Sequence, residues 1–192
     1  MGMICKDKDI QRALALDARR KLSNSQRITF SRKVCEHSMN LPFIKNVRIV
    51  LAYSATFDEV DLTHFVEISK DYNFEIAYPV SYSKGVMKAF VPNSEEAWET
   101  GKFGIRSPKE EESKLINPED IDLVFVPCVA FDEGLRRLGH GAGYYDRYLP
   151  LCTKAKFVCV AFEAQKLDNI VTDEFDTNMD FVVTEEKTYW PE

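Results

Sequence analysis

The stretch IDLVFVPCVAF, residues 121–131, decides the fold class. Nearly all of it is apolar and several residues are β-branched, which predicts a strand that is buried on both faces. Strands of this kind belong to parallel sheets that helices cover on both sides. The stretch therefore predicts the central strand of an α/β domain.

Strands and helices alternate around this central strand. Further strands are predicted at VRIVLAYS (47–54), FEIAYPV (74–80), VMKAFVP (86–92), residues 157–162 and DFVVTE (180–185). Helices are predicted at 9–22, from about Ser23 to Met39, after residue 61, and from about Gly143 to Leu151. Residues 93–120 are polar and predicted to be irregular. The pattern indicates a single domain, 1–192, with three α/β/α layers and a mostly parallel central sheet.

Composition excludes several classes of protein. Of the 192 residues 45% are hydrophobic, enough for one domain with a substantial core. A formal net charge of −6 argues against a nucleic-acid binder, because an acidic surface repels phosphodiester backbones. The apolar runs are too short to span a bilayer, and the stretch MGMICKDKDIQRA at the N-terminus has no apolar signal core. We therefore expect a cytoplasmic protein that binds neither membranes nor nucleic acid.

The cysteines do not indicate a metal or redox site. There are five, scattered and without CxxC spacing, so reduced structural thiols are expected. Cys128 has no evident base partner that would make it a nucleophile.

A glycine-rich loop, LRRLGHGAGYYDRYL (135–149), follows the central strand. A turn with few side chains exposes backbone N–H groups, and a helix that starts after it adds partial positive charge, so both favour phosphate. Arg136 and Arg137 add full charges. The spacing is neither a P-loop nor the GxGxxG fingerprint. A tight strand-to-helix turn without a ligand therefore remains an alternative.

Tyr144, Tyr145 and Asp146 come directly after the last glycine of this loop. A carboxylate beside an anion site can hold Mg²⁺ against phosphate oxygens. Asp146 is therefore the first candidate metal ligand. Tyr145 is equally compatible with a position in the core.

The longer segment VPCVAFDEGLRRLGHGAGYYDRYL resembles the signature of the 5-formyltetrahydrofolate cyclo-ligase family, also called methenyltetrahydrofolate synthetases. That family typically reads P-x-V-A-F-D and then R-L-G-Y-G-G-G-Y-Y-D-R. The similarity runs from K-x-x-x-R near the start of the chain to FVVTE near its end. Two departures are His140, where a tyrosine is common, and Ala142, where the family has its middle glycine.

The resemblance implies a ligase on the fold of sugar-phosphate isomerases and CoA transferases. Such an enzyme converts 5-formyltetrahydrofolate and ATP to 5,10-methenyltetrahydrofolate, ADP and phosphate, with Mg²⁺. The catalytic residues it implies are Arg137, Tyr144 and Asp146, and the metal ligands are Asp146 and Asp176. The implied ATP-binding residues are Lys8, Arg12, Arg137, Leu138, Gly139, Gly141, Gly143 and Tyr145. The implied folate-binding residues are Ser54, Glu59, His140, Gly141, Ala142, Gly143 and Tyr144.

The N-terminal helix carries a basic stripe. Lys8, Arg12 and Arg19 fall within about 40° of one another around a helix, with the apolar pair Ile10 and Leu14 opposite. Like charges on one stripe repel, so stability does not explain them, although a solvated basic face is an alternative. In the family the lysine and the arginine four residues later meet nucleotide phosphates, which implies that role for Lys8 and Arg12.

Acidic residues follow two of the predicted strands. After the first strand, Asp61 is expected to cap the next helix, whereas the family's E-V-D-T implies that Glu59 binds the pterin. A carboxylate can accept two hydrogen bonds from an aminopyrimidinone edge. In the later segment Asp176 matches the aspartate of the family's H-D pair, with Phe175 in place of the histidine. A surface acid without a ligand is the alternative for Asp176.

Residues 98–108 resemble the family's segment G-x-F-G-I-x-x-P. Trp98 and Phe103 are candidates for stacking on a pterin or benzoate ring, with ordinary packing as the alternative. Lys102 and Arg106 are candidates for contact with a glutamate tail.

Two other functions fit the same fold. A non-catalytic nucleotide-binding module would bind ATP without consuming it. A sugar-phosphate isomerase or CoA transferase would not need ATP, and the basic stripe would then have no role. The cyclo-ligase, acting as a monomer, is the function we expect.

Overall fold

The structure, a computed structural model, describes residues 7–101 and 104–191. Cys5, Lys102 and Phe103 therefore lie outside the described residues. The helices are α1 (Lys8–Arg20), α2 (Asn24–Met39), α3 (Thr63–Ile68) and α4 (Tyr144–Tyr148). The strands are β1 (Ile49–Leu51), β2 (Glu75–Ser81), β3 (Met87–Pro92), β4 (Trp98–Thr100), β5 (Arg106–Pro108), β6 (Ser113–Ile116), β7 (Leu123–Pro127), β8 (Ala130–Phe131), β9 (Arg137–Leu138), β10 (Lys156–Val160), β11 (Phe181–Val183) and β12 (Thr188–Tyr189).

Eight of these strands form one sheet in the order β12-β11-β10-β7-β1-β2-β3-β6. The five strands from β11 to β2 are parallel, and antiparallel strands extend the sheet at both edges. The predicted mostly parallel sheet is therefore confirmed. Two short hairpins, β4–β5 and β8–β9, lie outside it.

Strand β7 lies near the middle of the sheet and is buried on both faces, as predicted. Leu123 and Phe125 point to the face that α2 and α3 cover, in one core cluster with Val34 and Phe65. Val124 and Val126 point to the opposite face, where α4 packs. Helices thus cover both sides of the sheet, and none in the described chain is long and apolar enough to cross a membrane.

The central strand is shorter than the predicted 121–131. Strand β7 ends at Pro127, which has no N–H for a further ladder bond. Residues 130–131 turn away from the sheet and pair in an antiparallel hairpin with Arg137 and Leu138. This hairpin separates the sheet from the glycine loop and holds the start of that loop.

The prediction that residues 93–120 are irregular was wrong. They contain the β4–β5 hairpin and the edge strand β6. An edge strand pairs with a neighbouring strand on one side only. In β6 only Ile116 is buried. The segment therefore lacks the alternation of apolar and polar residues that predicts a strand. A further unpredicted strand, β12, has two residues and lies after β11.

Helix α1 exposes its apolar pair and turns its basic stripe towards the protein. Ile10 and Leu14 are 52% and 54% exposed, whereas Gln11, Ala15 and Arg19 are buried. Ala15 packs on the β8–β9 hairpin, not on the sheet. The surface that α1 meets is rich in polar groups, so its basic stripe points inward.

This orientation of α1 makes a testable prediction. Leu14→Lys is expected to change the free energy of unfolding by less than about 0.5 kcal/mol, because the side chain is exposed. Ala15→Lys is expected to cost more than about 3 kcal/mol, because it buries an unpaired charge. Urea denaturation measures both values, and a larger cost for Leu14→Lys would contradict the orientation.

Candidate active site

A cavity of about 1460 Å³ lies at the carboxyl ends of the parallel strands. Crevices at this edge are the usual ligand sites of open α/β sheets. Its volume exceeds the range of about 300–1,000 Å³ typical for one small ligand, which leaves room for two. All residues to which the sequence gave a catalytic, ATP-binding, folate-binding or metal-binding role line this cavity: Lys8, Arg12, Ser54, Glu59, Arg137, Leu138, Gly139, His140, Gly141, Ala142, Gly143, Tyr144, Tyr145, Asp146 and Asp176.

The basic end of the cavity is formed where α1 meets the glycine loop. Arg12 Nε donates to the Gly139 carbonyl oxygen at 2.9 Å, and its Nη1 pairs with Asp9. A Cβ placed on Gly141 would lie 3.5 Å from Arg12 Nη2. The loop backbone and the guanidinium therefore lie against each other at Gly141, where a side chain would be strained by the positive φ.

Lys8 links α1 to a second wall of the cavity. Its Nζ lies 2.8 Å from Asp173 Oδ2 and 2.6 Å from Asp176 Oδ2. Burial alone would lower the pKa of Lys8, but the two carboxylates outweigh it and raise that pKa. The lysine is therefore charged at neutral pH and is held beside the cavity.

Arg137 lies deeper, with 6% of its surface exposed. Its Nη2 is 2.5 Å from Asp146 Oδ1, so β9 and α4 are joined by an ion pair. Its Nε is buried and meets no acceptor among the described residues. A charged donor set of this kind, with unused capacity, suits an anionic ligand.

The glycine loop owes its shape to two positions. Gly141 and Gly143 have φ of +95° and +67°, a region that favours glycine. Ala142 is not among the described residues with positive φ, so its methyl group is tolerated in the place of a glycine. The predicted helix 143–151 is shorter, because α4 ends at Tyr148 and continues as a 3₁₀ turn around Pro150.

The short helix changes the physical argument for phosphate binding. Helix α4 has five residues, and its peptide dipoles therefore add little partial charge at the N-terminus. Side-chain cations must supply most of the attraction. Lys8, Arg12 and Arg137 all line this part of the cavity.

The acidic end of the cavity is built by the loop after β1. Glu59 is 9% exposed at its side chain; Oε2 accepts from Thr56 N at 2.9 Å, and Oε1 lies 3.5 Å from His140 Nε2. Burial alone would raise the pKa of Glu59, but its contacts with His140 and Thr56 lower it. Glu59 is therefore ionised at neutral pH and faces the glycine loop.

The loop after β1 also contains the predicted helix cap, Asp61. Asp61 Oδ1 accepts from Thr63 N at 2.8 Å, so it caps the start of α3 as expected.

The cysteines at 35, 128, 152 and 159 are free and buried. Burial raises the pKa of Cys35 and of Cys152 to about 12, which leaves both thiols protonated and unreactive.

The segment 98–108, which resembles a family motif, forms the β4–β5 hairpin and one wall of the cavity, with the candidate Arg106 in the lining. The β4–β5 hairpin supplies Glu99, Gly101 and residues 105–107 to the lining. Trp98 packs edge-on against Tyr78, with centroids 4.7 Å apart, and does not line the cavity. The sequence singled out this segment but did not predict the hairpin, whose position depends on edge strands that were also not predicted.

Arg147 lines the cavity, and sequence reasoning did not assign it to the site. Its Nη2 donates to the Ala142 carbonyl oxygen at 2.6 Å and its Nε to that of Gly85 at 3.3 Å. Tyr144 Oη donates to the Tyr82 carbonyl oxygen at 2.9 Å. These contacts dock the β2–β3 turn on α4. The only signal in the sequence was its place in the motif GYYDR.

Comparison with known proteins identifies what this arrangement resembles. The model of the 5-formyltetrahydrofolate cyclo-ligase family matches residues 5–185. A probable 5-formyltetrahydrofolate cyclo-ligase of Schizosaccharomyces pombe is 31% identical over 169 residues, which cover 80% of this chain and 83% of the relative. The 5-formyltetrahydrofolate cyclo-ligase of Mycoplasma genitalium is 28% identical over 183 residues, covering 92% and 97%.

A solved structure supports the same relationship. The NMR structure of Aquifex aeolicus 5,10-methenyltetrahydrofolate synthetase superposes with a TM-score of 0.83 at 33% sequence identity. The match covers 95% of this chain and 92% of that one. The predicted fold class and the resemblance found in the motifs are both confirmed.

Proposed function

The chain belongs to the 5-formyltetrahydrofolate cyclo-ligase family, and from that premise we propose that it converts 5-formyltetrahydrofolate to 5,10-methenyltetrahydrofolate at the expense of ATP. One observation carries the proposal: a single cavity has a cationic end at Lys8, Arg12 and Arg137 and a carboxylate at Glu59. The cationic end suits a triphosphate. The carboxylate suits the donor edge of a pterin.

The chemistry explains why both ends are needed. The N5-formyl group is an amide-like electrophile whose carbonyl carbon is deactivated by the nitrogen lone pair. Transfer of the γ-phosphoryl group breaks its bond to the bridging oxygen of ADP and forms a bond to the formyl oxygen. N10 then attacks the formyl carbon, the carbon–oxygen bond breaks, and phosphate leaves with that oxygen. N10 loses its proton to solvent water, and the five-membered ring of the methenyl product is complete.

The residues at the cationic end would position the nucleotide and neutralise charge. Phosphoryl transfer needs alignment and electrostatic stabilisation more than covalent help from the protein. In this proposal Lys8 and Arg12 hold the outer phosphates with the backbone of the glycine loop. Arg137 faces the charge that develops on the transferred group.

The binding of a triphosphate must compete with pairs inside the protein. Lys8 already forms ion pairs with two carboxylates, and Arg137 already forms one with Asp146. Each of these acids can release its cation to the nucleotide if a divalent ion takes up the carboxylate charge. The cations are therefore preorganised but not unpaired.

The donor set fits Mg²⁺. The recorded pairs engage Asp146 Oδ1 and Asp176 Oδ2, which leaves one oxygen of each carboxylate for a ligand. Among the described residues no group of three or more possible ligands forms a protein cage. Mg²⁺ usually takes one or two carboxylates and completes its shell with phosphate oxygens and water. When bound, the ion would shield charge between neighbouring phosphates.

The residues at the acidic end would hold the folate. Glu59 would accept hydrogen bonds from the aminopyrimidinone edge, with Ser54 and Tyr144 along the walls. His140 and Ala142 belong to the loop between the two ends, beside the reacting groups. No general base is required, because N10 is itself nucleophilic.

One assay distinguishes the proposed cyclo-ligase from the two alternative functions. The methenyl product is followed by its absorbance with 5-formyltetrahydrofolate, ATP and Mg²⁺, and with each component left out. We expect product only in the complete mixture, with one ADP per product. ATP binding without turnover would favour the nucleotide-binding module, and activity without ATP would favour an isomerase or transferase.

The same reasoning extends to the setting of the enzyme. One chain contributes every residue of the cavity that the proposal uses. We propose that the enzyme acts as a monomer. With a net charge of −6, a cytoplasmic enzyme that binds no nucleic acid is the setting we propose.

The His140–Glu59 contact predicts a pH effect. Because the folded-state pKa of Glu59 is lowered, its ionisation stabilises the fold above the ordinary pKa of about 4.3, and this contribution is lost as the pH falls through the lowered value. His140→Phe removes a contact that lowers this pKa. The acid limit of folate binding should therefore move to higher pH, by less than about one unit.

Calorimetric titration of 5-formyltetrahydrofolate between pH 4 and pH 7 measures this limit. His64→Phe is the control, because His64 pairs with Glu36 and Glu67 on the α2–α3 surface. An unchanged limit in His140→Phe, or a shift to lower pH, would show that His140 does not act on Glu59.

A further inference from the structure

A buried ion pair lies beneath the acidic end of the cavity. Arg19 is 2% exposed, and its Nε and Nη2 lie 3.2 and 3.0 Å from Asp58 Oδ2. Neither residue lines the cavity. We propose that Arg19, acting through Asp58, is the positioning residue that holds Glu59 in its folate-binding orientation. The inference rests on the proposed function, because it assigns the third residue of the basic stripe to the folate and not to the nucleotide.

The guanidinium of Arg19 joins three parts of the chain. It projects from α1 and binds Asp58 in the loop after β1. Its Nη1 also points to the carbonyl oxygen of Cys128, 3.5 Å away, in the segment after β7. Gln165 Nε2 donates to the same oxygen at 2.9 Å. One side chain therefore ties α1 to the carboxyl ends of two neighbouring strands.

A chain of hydrogen bonds continues from Asp58 to Glu59. Thr56 Oγ1 donates to Asp58 Oδ1 at 3.2 Å. Thr56 N donates to Glu59 Oε2 at 2.9 Å. With Oε2 held in this way, Oε1 faces the glycine loop and lies near His140. Asp58 thus fixes the turn that aims the Glu59 carboxylate, and Arg19 fixes Asp58.

Stability alone does not account for the Arg19–Asp58 pair. Two charges lose their hydration on burial, and apolar side chains of similar volume often serve the fold as well or better. A charged pair at this position does more than an apolar pair, because it directs both oxygens of Asp58. The positive charge of Arg19 also helps to keep Glu59 ionised, after the contributions of His140 and Thr56.

The test separates positioning from packing. Arg19→Met and Asp58→Asn each break the pair, and the double variant Arg19→Met/Asp58→Val replaces it with apolar groups. We expect each single variant to weaken binding of 5-formyltetrahydrofolate about 10- to 100-fold, the range seen when the residue that orients a metal ligand is removed. The KM for ATP should stay within about twofold of the wild-type value. Arg19→Lys keeps the charge and should recover part of the affinity.

The double variant is the decisive one. It should regain the Tm that Arg19→Met loses, since no buried charge is left unpaired, yet it should keep the weak folate binding. Lys21→Met is the matched control, because Lys21 forms an exposed pair with Asp17 on the same helix, and it should change neither quantity.

Three results would overturn the inference. They are recovery of both Tm and folate affinity in the double variant, unchanged folate affinity in a folded single variant, and an equal loss of ATP and folate affinity. Failure of the proposed function looks different, because wild-type protein would then neither bind nor convert 5-formyltetrahydrofolate. A wild-type enzyme that is active, with variants that bind folate normally, contradicts the role of Arg19 alone.

Discussion

Replacing Arg137 with alanine is expected to lower kcat about 1,000-fold, the scale at which an arginine stabilises phosphoryl transfer. The side chain is 6% exposed, and one of its nitrogens has no acceptor among the described residues. Its removal also leaves Asp146 without its cation, which adds unbalanced negative charge where a triphosphate must bind. Both effects reduce the stabilisation of the transition state more than they reduce the binding of folate. The KM for 5-formyltetrahydrofolate should therefore change little.

Two further variants sharpen this experiment. Arg137→Lys keeps the positive charge but loses the planar guanidinium group. Its kcat should therefore lie between those of the wild type and of Arg137→Ala. Arg48→Ala removes an exposed arginine at the start of β1 and should leave kcat unchanged. Steady-state kinetics, with circular dichroism to verify folding, measures all three. A loss of less than tenfold in a folded Arg137→Ala protein would remove Arg137 from the catalytic group.

Glu59→Gln is expected to lower kcat/KM for 5-formyltetrahydrofolate about 100-fold or more, because it presents an amide N–H to the donor edge of the pterin. An amide can still accept from Thr56 N, so the loop should keep its conformation. The KM for ATP should remain within about twofold, since the contacts of Glu59 are with Thr56 and His140 and not with Lys8, Arg12 or Arg137.

The control for this variant is Glu67→Gln on α3. Glu67 is exposed and pairs with His64 outside the cavity, so its amide should have wild-type kinetics. Equal loss of affinity for ATP and folate in Glu59→Gln would contradict the division of the cavity into two ends. So would normal folate kinetics.

The central layers of the fold were predictable because their signals are local. Strand β7 has a run of apolar residues that only a doubly covered strand explains, and both of its faces are indeed buried. The edge strand β6 was missed because its burial is one-sided and its neighbours are polar. Its pairing with β3 spans a long loop that no short pattern encodes.

Helix α1 shows the limit of hydrophobic periodicity. The pattern correctly placed Lys8, Arg12 and Arg19 opposite Ile10 and Leu14. It did not decide which face is buried, because a helix that packs against an active-site wall can bury charges that find partners there. Arg19 finds Asp58, and Lys8 finds two aspartates.

The lining of the candidate site was predictable from motifs, and its connections were not. The residues assigned from the motifs all line one cavity. The pairs that organise them join residues far apart in sequence, such as Lys8 with Asp176 and Arg19 with Asp58. Tertiary packing alone decides these pairs.

The fate of the formyl oxygen tests the account most directly. 5-Formyltetrahydrofolate labelled with ¹⁸O in the formyl group is converted with unlabelled ATP, and the released phosphate is analysed by mass spectrometry. If the γ-phosphoryl group is transferred to the formyl oxygen between the two ends of this cavity, the label appears in the phosphate, one atom per methenyl product. Label found in water, with unlabelled phosphate, would mean that ATP does not activate the formyl group.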